Sequence, residues 1–475
     1  MCPSEPGSTV SGGRVGARIR EGCPLSRENG GYDANQIPCQ EGTFLMRSSR
    51  SRDRFVVTFD DEHAVANAGL VLPAMLAARL GLEAAANEML DLGGRPGAAA
   101  PGRKVMTLVH AMTAGADCID DVDVLRAGSS AKVLDHRVMA PSTCGTFLRG
   151  FTFGHVRQLD RFSETALARA WAAGAGPDDA PMTIDVDSTV CEVHGYAKQG
   201  AAYGYTRQLG YHPVLATRAQ TGEVLHLRFR KGSANTGRGA ERFVRELLGR
   251  VRRAGATGPL ALRADSGFWS RHVIQACRDH QVAYSITVNQ NKAVRATIAA
   301  IPEHAWVSID YPEGGEAQIA ETRYHDDRLI VRRTRLVGSQ ASLWPDWRSH
   351  AFITNRAGEL VELEADHRRH AVVELAIRDL KDNALAHCPS GHFSANAAWA
   401  LLATVAHNLI RWMTQLGFGT CGPLVARTIR RRYLALPGRL THSARRQHLH
   451  FPARWPWAEP FLAAYARLNA IPIRA

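Results

Sequence analysis

Met182-Thr183-Ile184-Asp185-Val186-Asp187-Ser188-Thr189 is the stretch on which the fold turns. Met182, Ile184 and Val186 alternate with Thr183, Asp185 and Asp187, the period-two pattern of a β-strand. Downstream, Gly210–Thr217 and Val224–Phe229 predict two more strands, Ala240–Ala254 an amphipathic helix, Leu260–Ala264 a strand, Trp269–Asp279 a helix and Ala283–Val288 a strand. Early strands followed by alternating helices and strands predict an α/β domain with a mixed sheet. Asp187 ends the first strand of this series and Asp265 the fourth. Ligands bind at strand C-terminal edges in such sheets, and two carboxylates at adjacent edges can share a divalent metal. Either Asp alone is equally explained by the solvated loop that follows a strand.

Toward the C-terminus, Trp306–Tyr311, Ala317–His325, Leu329–Val337 and Ala351–Thr354 are short β-rich runs, punctuated by Pro312-Glu313-Gly314-Gly315 and Asp326-Asp327. They predict a β-rich insertion over 290–366. Helices resume at Asp366–Ala386 and Ala395–Leu416. In the first of these, His367, His370, Arg378 and Lys381 fall at −7, −4, +4 and +7 from Glu374, so all five share one helical stripe. Val373, Ile377, Leu380 and Ala384 form the apolar stripe beside it. An exposed helix with an ion pair from Glu374 to Arg378 would carry the same pattern.

Toward the N-terminus, residues 1–45 are rich in Gly, Ser and Pro and lack periodicity, which predicts a disordered extension or a mis-assigned start ahead of Met46. Phe55–Phe59 reads as a short strand. Leu72–Leu82 and Lys104–Ala116 have helical apolar spacing, and Pro141-Ser142-Thr143 is a helix start with Ser/Thr as cap. The expected organisation is a helical domain at 46–172, an α/β core at 181–289 and 367–416 around the 290–366 insertion, and a basic region at 417–475.

Of the 475 residues, 58 are Lys or Arg and 45 Asp or Glu, a net charge of +13. From Ala384 to the end there are eleven arginines against the single acid Glu459, a balance of +10. Arg430, Arg431, Arg432, Arg445 and Arg446 are the densest of them, and Trp412, Tyr433, Trp455 and Trp457 are interleaved. Arg suits bidentate phosphate contacts, so a polyanion is the expected partner. The nine cysteines form no Cys-x-x-Cys pair, against a zinc ribbon or a disulfide framework and in favour of a reducing compartment. With no signal-peptide pattern and no apolar run of membrane-spanning length, a cytoplasmic protein without a membrane partner is expected.

Three segments together carry a resemblance: Asp187-Ser188-Thr189, Arg263-Ala264-Asp265-Ser266-Gly267-Phe268, and Glu374 through Lys381. From about Phe55 to Pro456 the chain resembles the DDE transposases of bacterial insertion sequences, the cut-and-paste type with a Tyr-Arg-Glu-Lys signature. The resemblance implies an RNase H-like mixed sheet with a β-rich insertion, preceded by a small all-helical domain. It implies Asp187, Asp265 and Glu374 as ligands of Mg²⁺, or Mn²⁺, in strand cleavage at the element's ends and strand transfer. The implied partners are double-stranded DNA, as inverted repeats and target, and a second copy of the chain in a synaptic complex. Arg378 and Lys381 would hold phosphates, Asn235 would lie in the loop near the site, and a Trp of the insertion (Trp306, Trp344 or Trp347) could stack a flipped base. Sequence readout is expected in His63–Phe162. His367 and His370 stand where the signature has Tyr and Arg, and both can still hydrogen-bond phosphate, with Arg368 or Arg369 able to replace the charge. That departure keeps open a catalytically inactive, transposase-derived DNA-binding protein. A further alternative is a haloacid-dehalogenase-type phosphatase with Asp185 as nucleophile, since Asp185-Val186-Asp187-Ser188-Thr189 fits its opening motif, although the only late acidic pair is Asp326-Asp327.

Overall fold

The computed structural model describes residues 56–474 apart from 196, 205, 312–314, 337–346 and 421–424. The segment 1–45, the basic run from Arg47 to Arg54, most of the turn at Pro312 and Trp344 therefore lie outside the described residues. Residues 60–475 form one compact unit. The strand expected at Phe55–Phe59 is not formed in its described part: residues 56–59 are in no strand, and Val56, Val57 and Phe59 are exposed.

The core is built on strands β1 (Met182–Ser188), β2 (Val214–Arg218), β3 (Val224–Arg228), β4 (Leu260–Ala264) and β5 (Ala283–Thr287). They lie in the order β3-β2-β1-β4-β5. β1, β4 and β5 are parallel, whereas β2 and β3 run antiparallel to their neighbours. This is an RNase H-like mixed sheet. Central β1 is covered on both faces, so Met182, Ile184 and Val186 are buried and so is Asp185. The strand expected at Gly210–Thr217 is interrupted at His212-Pro213, where the chain passes from a short outer strand, Leu209–Tyr211, into β2.

The β-rich stretch does not form a separate layer. Strands β6 (Val307–Ile309), β7 (Gly315–Tyr324), β8 (Asp327–Leu336) and β9 (Arg348–Thr354) continue the same sheet outward from β5. β9 pairs antiparallel with β5, Phe352 opposite Thr287 and Ile353 opposite Ile286, and so covers an edge that would otherwise be open.

Among the described residues the α-helices of eight residues or more are α1 (Val71–Arg79), α2 (Leu82–Met89), α3 (Pro101–Ala114), α4 (Pro141–Arg149), α5 (Phe153–Ala170), α6 (Ala240–Ala254), α7 (Arg271–Asp279), α8 (Lys292–Ala299), α9 (Leu360–Arg368), α10 (Val372–Lys381), α11 (Phe393–Met413) and α12 (Ala458–Ala470). Pro141 occupies the first helical position of α4 with Ala140 before it, so Ser142 and Thr143 lie inside the first turn and do not cap it. Every residue of α11 from Ala395 to Met413 is buried, and α1, α3, α4 and α5 pack around it. The N-terminal helices and the sheet thus share one hydrophobic core. The single helix expected over Asp366–Ala386 is broken: a 3-10 turn at Arg369–Ala371 separates α9 from α10. Among the described residues no single helix is long and apolar enough to cross a membrane.

The basic C-terminal region is folded. β10 (Gly438–Ser443) and β11 (Arg446–His450) form a hairpin whose first strand pairs with Ala64–Val65, and α12 packs on α1.

Candidate active site

The parallel pairing of β1 with β4 brings the ends of the two strands side by side, Val186 opposite Ala264. Asp187 then emerges at the sheet edge and Asp265 just past it. Glu374 lies in the first turn of α10, and all three acids line one cavity of about 670 Å³. Its other walls include Ser188, Thr287, Phe352, His367 and His370.

Burial pushes the Asp187 carboxyl up to about 6, and the charges of Asp265 and Glu374 add to that rise, partly offset by the Ser188 backbone N–H and by His370. The Ser188 N–H donates to Asp187 Oδ1 at 2.6 Å. Asp265 is also raised by burial; its Oδ1 caps the turn Ser266–Phe268 by accepting from the Gly267 N–H at 3.1 Å. A Cβ at Gly267 would lie 2.6 Å from Thr236 Cγ2, so glycine lets this turn pack against the Thr236 loop without displacing it. Asn235 is exposed, accepts from the Arg238 N–H and lies in the loop that carries Thr236. His212 fixes that loop, with one ring nitrogen 2.6 Å from the Ala234 carbonyl and the other 3.0 Å from Ser188 Oγ, which in turn lies 3.2 Å from Thr236 Oγ1.

Behind Asp187 on the same face of β1, Asp185 is fully buried. Arg263 Nε and Nη2 donate to its two oxygens at 2.7 and 2.9 Å, and His370 Nδ1 is 3.0 Å from Oδ1. Arg263 also donates to the Asp366 carbonyl, and Arg356 to the Asp366 side chain. This network ties β1 and β4 to α9 and the turn that follows it, which fixes where Glu374 points. Asp185 is therefore not a nucleophile: a buried carboxylate with both oxygens held by one guanidinium has no approach for a phosphoryl group. The phosphatase alternative falls with it.

His367 does not share the stripe of Glu374. It lies in the last turn of α9, stacks on Phe352 at 4.0 Å, and has its ring nitrogens on Ser285 Oγ and Thr287 Oγ1 at 2.7 and 3.0 Å. Both nitrogens being engaged, it is not placed to bind phosphate as expected; burial pushes it down to about 3, with His370 and Arg263 adding to the fall. His370 reaches the cavity, its Nδ1 committed to Asp185. Arg378 is exposed one turn beyond Glu374. Lys381 lines a neighbouring cavity with Cys118, Cys191 and Cys388.

Arg368 of α9, offered by the sequence as a replacement charge, lines the same cavity, and sequence reasoning missed the two residues beside it, Arg332 of β8 and His350 of β9. Glu364 pairs with both arginines, Arg332 at 3.4 Å and Arg368 at 2.9 Å, and burial, with Arg332 adding to it, lowers the His350 pKa. Only the continuation of the sheet through β9 and β8 brings Arg332 and His350 there. Trp306 and Trp347 clamp the Arg333 guanidinium, at 4.0 and 4.5 Å.

Among the expected DNA-binding arginines, Arg430 is a correction. Its Nε donates to the Thr113 carbonyl at 3.0 Å at the end of α3, and burial lowers its pKa. Arg411, counted with the basic region, is buried and ion-paired with Asp379. Arg431, Arg432, Arg445 and Arg446 are exposed, and Arg432 lies over the Trp457 ring at 5.1 Å.

The donor set suits a hard divalent cation: three carboxylates, one of them pushed up by burial and then by the charges of the others. They do not close round a single ion. Among the described residues, Asp117, Cys118 and Asp121 are the group with ligand atoms within 4.8 Å of one another, and they lie outside this cavity. Mg²⁺ typically takes one or two carboxylates and completes its shell with water and substrate phosphate, for which the open spacing is suited.

A model of the family described as transposase DDE domain group 1 matches residues 47–473. No curated protein matches the chain. A similar solved structure is the cryo-EM structure of the piggyBac transposase synaptic complex with hairpin DNA, with 13% identity, a TM-score of 0.41 and coverage of 70% of each chain.

Proposed function

Because the chain belongs to the transposase DDE domain group 1 family, we propose that it is a metal-dependent transposase of insertion-sequence type, which cuts DNA strands at the element's ends and joins them to target DNA. The observation that carries the reading is the convergence of Asp187, Asp265 and Glu374 on one cavity from three separate elements.

Asp187, Asp265 and Glu374 would hold Mg²⁺ or Mn²⁺. When bound, such ions activate the attacking oxygen and stabilise the leaving one in an in-line phosphoryl transfer. The remaining steps belong to the protein's own groups. Arg332, His350 and Arg368 line the same cavity as the acids and would hold the DNA phosphates on either side of the scissile bond. His370, oriented by Asp185, presents its other nitrogen as a hydrogen-bond donor or acceptor for the same backbone. Asn235 and Arg378, both exposed, would meet the DNA backbone near the site, and Arg431, Arg432, Arg445 and Arg446 would contact the duplex beyond it. Two copies of the chain would bring two ends together.

The test is nicking of supercoiled DNA carrying the sequences that flank the gene, in Mg²⁺. The wild-type protein should nick it, and Asp265→Asn and Glu374→Gln should each lose at least a hundredfold in rate while binding the DNA undiminished. Near wild-type cleavage by either variant removes that residue from the site. Binding without cleavage by the wild type makes the protein a DNA-binding relative of the transposases.

A further inference from the structure

The hairpin of β10 and β11 is anchored only at its base. Leu440 stands opposite Leu449 and packs with Val65 and Ala68. Past that pair the ribbon leaves the core: His442, Ser443, Ala444, Arg445, Arg446, Gln447 and His448 are all exposed. Ser443 pairs with Arg446, so Ala444-Arg445 is a two-residue turn, with Ala444 at φ 53°. We propose that this ribbon enters the major groove of the element-end duplex and reads base edges, an inference that rests on the transposase reading above.

Size permits it. Three residue pairs lie beyond Leu440 and Leu449 (Thr441 with His448, His442 with Gln447, Ser443 with Arg446). At about 3.3 Å per residue they extend about 10 Å, whereas the major groove of B-DNA is about 8.5 Å deep, about 12 Å wide and admits a two-stranded ribbon. The narrow, deep major groove of duplex RNA does not.

Chemistry favours it as well. No acid occurs between Asp382 and Glu459, so the whole hairpin is free of carboxylates. Strand alternation puts Thr441, Ser443, Arg446 and His448 on one face of the ribbon, while His442 and Gln447 share the other. Arg pairs with guanine O6 and N7, and Gln with adenine N6 and N7. Guarding the open edge of β11 against pairing with another chain would take a charge or two; it gives no reason for Gln447 and His442 on the second face.

Binding of the full-length protein to duplexes tiling the DNA that flanks the gene, against scrambled duplexes of equal length, tests the proposal. Arg445→Ala, Arg446→Ala and Gln447→Ala combined should cut the preference for the best flanking duplex at least tenfold, with a smaller loss on scrambled DNA. Replacing guanine by 7-deazaguanine, which removes only the major-groove N7 acceptor, should weaken the wild type and leave the triple variant little changed. These side chains lie outside the core, so thermal unfolding should match the wild type. A preserved preference in the variant, or indifference of the wild type to 7-deazaguanine, overturns the inference. If that happens while Asp187→Asn still abolishes strand cleavage, only the ribbon falls; a wild type that neither binds nor cuts DNA takes the transposase reading with it.

Discussion

Asp185 and Asp187 lie two residues apart on one strand and differ by what surrounds them. Asp185 stands opposite Arg263 in the parallel register and is neutralised there. Asp187 faces two more acids, and its carboxyl is pushed up to about 6 by burial and then by those neighbours. The folded state without metal therefore prefers Asp187 protonated. Its stability should fall as pH rises from the ordinary Asp value of about 4 toward 6, with the deficit complete above 6. Asp187→Asn removes the charge, so in chelator it should stabilise the protein at pH 8 by up to about 3 kcal/mol and have little effect at pH 4. Denaturant unfolding at the two pH values checks this, and equal effects at both would mean that Asp187 is ionised without strain. The period-two pattern showed both acids at the strand's end; it could not show which had a cation partner, because Arg263 becomes that partner only through the register of β1 with β4.

At the scale of elements, the sheet and the helices are joined through buried polar groups. Glu223, between β2 and β3, is completely buried and accepts from Trp171 Nε1 at 3.2 Å, Trp412 Nε1 at 2.6 Å and Arg218 Nη1 at 3.3 Å. Asn408 of α11 bonds both backbone groups of Val224 at the start of β3, at 2.7 Å each. Glu223→Ala would leave two indole N–H groups without their acceptor and the part-buried Arg218 charge without its carboxylate, with the Ala175 carbonyl still accepting from it, at a cost of about 3–5 kcal/mol. A Tm within a degree or two of wild type would contradict this. Nothing around Glu223 in the sequence marked it as a hub, since two of its three partners, Trp171 and Trp412, are remote. Strands and helices of the core were legible because their periodicities are clean: α6 and β4 have the expected limits. The break between α9 and α10 was not, because the stripe from His367 to Lys381 is equally regular with or without a tighter turn in it. What breaks the helix is the pull of tertiary contacts, His367 toward Ser285 and Thr287 and His370 toward Asp185.

For the whole molecule, charge along the sequence is not charge on the surface. Of the arginines after Ala384, Arg411 and Arg430 are spent inside the protein, on Asp379 and on the end of α3. Arg430→Ala should thus lower stability by about 1–3 kcal/mol and leave the salt dependence of DNA binding unchanged. Arg431→Ala with Arg432→Ala should do the reverse, flattening the slope of log affinity against log salt by up to about 2. A salt titration of both proteins separates the two roles, and an altered slope for Arg430→Ala would contradict its placement. The central claim, that the acids of the cavity hold the cations for strand cleavage, is tested most directly by exchanging one ligand's chemistry. Asp187→Cys puts a thiolate where Mg²⁺ requires oxygen, while softer ions such as Mn²⁺ or Cd²⁺ accept sulfur. The measurement is the rate of strand cleavage by Asp187→Cys on the DNA flanking the gene, in Mg²⁺ and then with the softer ions added. The predicted result is no cleavage in Mg²⁺ and recovery with the softer ions, with Asp187→Ala silent in both; cleavage by Asp187→Cys in Mg²⁺ at the wild-type rate would contradict it.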